Sequence, residues 1–161
     1  MKRLIVFLMA LICAGPMVAQ NVLNDKAVSD RSGANAHPDN IVGTYSGKQG
    51  DDRFKVKIVK LTDGTYRGQV IWMERDKDAK GNKILDSKNP DKSLRSKPAD
   101  QAVLFSGLKY DSKKHCWNDT KIYDPQRGLK ASMSAEFVAD GRLRIKGTVL
   151  GIGETVFWNR E

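Results

Sequence analysis

From Ile41 to the C-terminus, apolar and polar residues alternate with a period of two. In RFKVKIVK, Phe54, Val56 and Ile58 share one face while Lys55, Lys57 and Val59 take the other. That is the pattern of an antiparallel strand with one face in a core and one in water. Asp63-Gly64 is a hairpin signal, and TYRGQVIWM returns from it with Tyr66, Gly68, Val70 and Trp72 on one face. After a long polar insert, VLFSGLKY (Val103 to Tyr110) turns through DSKKH into CWNDTKIY (Cys116 to Tyr123). DPQRG leads into a strand in which Leu129, Ala131, Met133, Ala135 and Phe137 alternate with polar residues. RLRIKGTVL sets Leu143, Ile145, Gly147 and Val149 against Arg142, Arg144, Lys146 and Thr148, GIG makes the last turn, and ETVFWNRE closes the chain.

With IVGTYS at the start, these segments predict eight strands and no strong helix, hence an all-β meander. A flat meander leaves its apolar face in water, whereas rolling it into a barrel buries that face and removes the sheet edges. The expected fold is a single small antiparallel up-and-down β-barrel over residues 41–161, with a two-sheet sandwich as the alternative. Eight strands enclose room for side chains or for one small ligand. The insert from Glu74 to Gln101 joins the third and fourth strands and is too long for a hairpin. Its prolines and the Asn89-Pro90-Asp91 turn argue for a fixed path, with Leu94 as a hydrophobic peg and Arg95 as an ionic one: an ordered lid at one mouth of the barrel.

The N-terminus reads differently. Lys2 and Arg3, an uncharged apolar run from Leu4 to Cys13, then Ala14, Gly15 and Pro16 follow the order of a secretory signal peptide. The run is shorter than the ~20 residues that span a bilayer, and Ile12 before Cys13 disfavours a lipoprotein box. Cleavage near Ala19 or Gln20 would remove residues 1–20, leave Cys116 as the sole cysteine and lower the formal charge from +9 to +7. The expected location is the periplasm or the outside of the cell, and the core must hold without an internal disulfide. Residues 21–40 are polar and aperiodic and read as a disordered leader that carries His37. The positive charge suits anionic partners, but its lysines are spread along strand faces, which disfavours nucleic acid.

Several longer motifs stand in one order: GQVIWM with Trp72, LDSKNPDKSLRSKP (Leu85 to Pro98), KIYDPQRG (Lys121 to Gly128), LRIKGTVLG with Gly147, and FWNR with Trp158 and Arg160. Together they resemble the bacterial secreted proteins grouped as domain of unknown function 2147, over essentially the whole of residues 41–161. The chain departs from that pattern at Tyr45, where a tryptophan is more usual, and at NDTKIYDP, where a glycine commonly precedes the isoleucine. The resemblance implies a calycin-like barrel, similar in plan to lipocalins and streptavidin, and no established activity. It also implies that Gly43 and Tyr45 in the first strand pack near Arg160 in the last, closing one end, with the arginine over the aromatic ring.

Catalytic sets are scarce. His115 and Cys116 are neighbours on a strand and face opposite sides, so a Cys-His dyad needs a bulge. A Ser-His-Asp set lacks a base, and histidine-cysteine metal sites lack ligands. An oxygen-ligand calcium site from Asp76, Asp78, Asn82, Asp86 or Asp91 has no closing glutamate. Asp86 or Asp91 with Asp124 could form an acid-base pair at one mouth, but Arg95 pairing with one of those aspartates would pin the insert instead. Within IYDP, Ile122 and Tyr123 must point to opposite faces. The expectation is therefore a non-enzymatic barrel, without cofactor, that binds a small apolar or amphipathic molecule or an envelope component. Its walls would include Trp72, Tyr123 and Trp158, with Asp86, Asn89, Asp91, Leu94, Arg95 and Asp124 at the mouth. The alternatives are a filled barrel that meets an envelope protein or anionic polymer through its surface, and an enzyme built on Asp86 or Asp91 with Asp124.

Overall fold

The computed structural model describes residues 33–161; the segment expected to be a signal peptide and most of the expected leader lie outside these residues. Eight strands follow one another: β1 Gly43–Gln49, β2 Asp52–Lys60, β3 Tyr66–Met73, β4 Val103–Asp111, β5 Cys116–Asp124, β6 Leu129–Phe137, β7 Leu143–Val149 and β8 Ile152–Arg160. Each pairs antiparallel with the next, and β1 meets β8 to close a barrel. The two-sheet sandwich is thereby excluded. The final turn is tighter than GIG suggests: Val149 pairs with Ile152, leaving Leu150-Gly151 as a two-residue loop.

The period-two pattern sets the core. Tyr45, Val56, Ile58, Tyr66, Leu108, Trp117, Phe137, Leu143 and Ile145 are buried inside the barrel. Most lie toward the end that holds the β2–β3, β4–β5 and β6–β7 turns. That end is closed by the segment before β1, in which Pro38–Ile41 forms a 3-10 turn and Ile41 is fully buried. The main chain of this segment is held by side chains from the barrel. Tyr45 Oη donates to Ile41 O at 2.9 Å, Tyr110 Oη to Asn35 O at 2.5 Å, and Trp117 Nε1 to Pro38 O at 2.9 Å. Asn35, itself buried, donates to Phe137 O and accepts from Phe137 N.

Residues 33–40 therefore differ from the disordered leader expected over 21–40. Polar composition alone misses them, because their contribution is a main chain whose carbonyls satisfy buried Tyr and Trp donors. Gly43, Tyr45 and Arg160 meet at the same end: the Arg160 guanidinium lies 5.8 Å from the Tyr45 ring and donates to Asn40 O and Val42 O.

The opposite end is less complete. β1 and β8 pair only at Tyr45–Arg160 and Ser46–Asn159, against seven pairs between β7 and β8. Above those rungs the seam is open. Its floor is set at Gly47, where an added Cβ would come within 2.6 Å of Phe54 and 2.8 Å of Trp158. Those two rings meet edge to face at 5.9 Å and fill the barrel at that level.

A candidate ligand site at the open mouth

Cross-strand partners share a face, so register decides which side chains line the mouth. Val156 pairs with buried Ile145, and Ile152 with Val149, so Val149, Ile152 and Val156 face inward with Trp158. On β5 and β6, Ile122 pairs with Ala131, on the same face as buried Met133. These inward positions are poorly covered: Ile152 is 81% exposed, Leu129 57%, Val149 46% and Val156 37%. An interior-facing apolar set left in water is the unusual feature of this end.

Polar groups cross the mouth at the level of this apolar set: Asp124 pairs with Leu129, and Glu154 stands between Val156 and Ile152 on β8. Gln49 Nε2 on β1 lies 3.3 Å from both carboxylate oxygens of Asp124 on β5. Asp124 Oδ1 also accepts from the Gln126 amide at 2.9 Å and the Arg127 amide at 3.3 Å. Arg127 then reaches Glu154 on β8 at 2.5 Å, and this hydrogen bond holds the Glu154 carboxyl below its usual range. The result is a polar bridge from β1 through the β5–β6 turn to β8, set among the apolar side chains of the mouth.

The wall residues expected from sequence are divided by this geometry. Trp158 is inside, at the floor. Trp72 is outside: β3 and β2 slip register between Lys55 and Val56, so Trp72 pairs with outward Lys55 and is 42% exposed. A bulge adds one residue and reverses every later side chain. Tyr123 is also outside the barrel, opposite Ile122, yet only 4% exposed, because the insert covers it. Its hydroxyl donates to Asp86 Oδ1 at 2.6 Å, and burial together with that hydrogen bond raises its pKa.

The insert is thus docked on the outer wall rather than laid across the mouth. Asp86 and Asn89 are buried, and Asn89 Nδ2 donates to Asp86 Oδ2 at 2.6 Å. Lys88 packs on the β5–β6 turn so closely that a Cβ on Gly128 would stand 2.6 Å from its carbonyl oxygen. The hydrophobic peg expected at Leu94 is not one: Leu94 ends the 3-10 turn Lys92–Leu94 and is 42% exposed. Arg95 pairs with no aspartate among the described residues; its Nε donates to Asn89 O at 2.8 Å and tightens the insert on itself. Asp91 caps that turn through the Ser93 amide and hydroxyl.

These placements remove the acid-base pair. Asp86 is on the outer side of β5 beneath Tyr123, Asp124 faces the mouth, and the strand lies between them. Asp78 is occupied by the amides of Lys80 and Asn82, and Asp76 by Lys83. Among the described residues no group of three or more His, Cys, Asp or Glu side chains converges as a metal site. The Cys116 thiol is raised by burial and by Asp111, which makes it a poor nucleophile. Two hollows on the outer surface stand out among the described residues. One of about 120 Å³ is lined by Cys116, Ser134, Glu136, Arg144 and Lys146, and one of about 570 Å³ lies at the β4–β5 turn.

A closed floor, a ring of eight antiparallel strands and an open mouth define a lipocalin-like barrel. A solved structure with this architecture, described as protein HP1028 from the human pathogen Helicobacter pylori and as belonging to the lipocalin family, superposes with a TM-score of 0.60. The two share 22% identity over 75% of this chain and 82% of that one, a likeness of fold. The sequence belongs to the family described as an uncharacterized protein conserved in bacteria, DUF2147, whose model matches residues 43–160. No curated protein matches it.

Proposed function

We propose that this chain is an exported binding barrel that takes the apolar part of a small amphipathic molecule into its open half. The observation that carries this reading is the inward-facing apolar set Leu129, Val149, Ile152 and Val156, left exposed above a floor of Phe54 and Trp158. The fold class supports it, since lipocalin-like barrels suit small ligands. The bridge of Gln49, Asp124, Arg127 and Glu154 offers donors and acceptors to a polar head. The ligand sits in the mouth rather than deep in the barrel, because aromatic rings fill the level of Gly47. Export, to the periplasm or beyond, rests on the charged, apolar and small segments of residues 1–16.

Native mass spectrometry of protein purified from its own host tests the reading. A retained molecule lost in Val156→Asp supports it. No adduct, together with Trp158 fluorescence that stays unmoved by fatty acids, lysolipids and other amphiphiles, refutes it. The filled structural barrel draws support from the packing of the closed half, and that second outcome would favour it.

A further inference from the structure

The β7–β8 hairpin ends in the wrong residues for a turn in water. A two-residue loop with both φ angles positive normally carries Asn and Gly, yet here it is Leu150-Gly151, with φ of 49° and 84°. Leucine seldom takes this left-handed conformation. The side chain so presented is 98% exposed, and Ile152 beside it is 81% exposed. Leu129, 57% exposed, begins the neighbouring strand β6 at the same rim. Cations flank the tip: Lys130 follows Leu129, and Lys146 lies across Gly153, where an added Cβ would come within 3.0 Å of its Cε. The chain carries a formal charge of +9.

We propose that the tip Val149–Ile152, with Leu129, inserts into the surface of an anionic lipid bilayer and sets the open mouth against it. Apolar side chains entering the acyl boundary while adjacent lysines meet anionic headgroups is the two-signal arrangement that interfacial binding requires. A second copy of the chain is a poorer occupant. A stable dimer buries some 20–30 residues a side, and this finger offers four. The docking stands on the hairpin itself. Its purpose, delivery of an amphipathic molecule between bilayer and mouth, rests on the binding function proposed above.

Vesicle co-sedimentation tests the docking, with the exported protein, phosphatidylglycerol–phosphatidylethanolamine vesicles, and phosphatidylcholine vesicles as the neutral comparison. The expected result is binding to the anionic vesicles that weakens with salt and falls about tenfold or more in L150S/I152S. Lys130→Glu with Lys146→Glu weakens it further on anionic vesicles than on neutral ones. The variants share every residue N-terminal to the barrel with the parent protein, so an apolar N-terminal segment cannot produce the difference. No binding by the parent protein, or equal binding by L150S/I152S, overturns the proposal. A concentration-dependent dimer abolished by L150S/I152S, without vesicle binding, overturns it in favour of a second copy. Leu150→Ser alone, at a loop residue outside the apolar set of the mouth, should also weaken vesicle binding while the small molecule is retained in native mass spectrometry, which keeps failure of docking distinct from failure of ligand binding.

Discussion

The two ends of this barrel are built from one strand pattern and finished in different ways. At the closed end the inward side chains pack into one buried core, and the segment 35–42 lends its carbonyls to Tyr45, Tyr110, Trp117 and Arg160. At the open end, β1 and β8 part after two rungs, and inward apolar residues face water around a polar bridge. The first end uses hydrogen-bonded burial to fix the fold. The second leaves apolar surface uncovered, as expected of a site whose occupant comes from outside.

The largest expected difference comes from truncating a large apolar side chain at each end. Trp117→Ala removes a fully buried ring and orphans Pro38 O, and should cost about 3–5 kcal/mol in denaturant unfolding. Ile152→Ala, at the open mouth where the side chain is 81% exposed, should cost less than about 1 kcal/mol. Equal losses would end the claim that stability resides at the closed end.

Alkaline pH should act on the same end. Burial pushes the Tyr45 phenol up to about 12, and burial with Asp39 raises Tyr66. Above pH ~10 the unfolded phenols ionise while these stay protonated, so the folded state binds more protons there. Stability from this source is whole below pH ~10 and is lost as the pH rises through about 12. Urea midpoints from pH 9 to 11 should fall, and less steeply in Tyr45→Phe.

Gly47 marks the level where the two regimes meet. Gly47→Ala drives a methyl into Phe54 and Trp158 and should cost about 1–3 kcal/mol, with a shift in Trp fluorescence; neither change would mean the floor is loose. Tyr123→Phe leaves Asp86 without its hydroxyl donor and should cost about 1–2 kcal/mol. Hydrogen exchange should then rise in residues 84–99 and stay constant in the closed end. At the mouth, Gln49→Ala should change stability by less than about 0.5 kcal/mol. Ligand uptake in native mass spectrometry should change more than the melting does.

Much of this contrast was legible in the chain. Alternation in RFKVKIVK and LRIKGTV, hairpin signals and the motifs up to FWNR lead to eight strands and to the family. Trp72 was misplaced because a bulge between Lys55 and Val56 reverses facing without changing composition. Tyr123, expected in the wall, lies outside instead: alternation with Ile122 allows either face, and the docking of Asp86 holds it on the outer one. Leu94 resembled a core residue in a polar run, but the 3-10 turn points it to solvent. The mouth residues Gln49, Arg127, Glu154 and Val156 carry no signal beyond the alternation and turns that place them.

The sequence by itself determined the strands, the meander order and which residues of each strand could share a face, because these follow from a local period of two and from turn chemistry. Tertiary structure decided where β1 and β8 part, which side of β5 the insert covers and which apolar residues stay in water. Those outcomes depend on register and on contacts between residues far apart in the chain, which no local pattern contains.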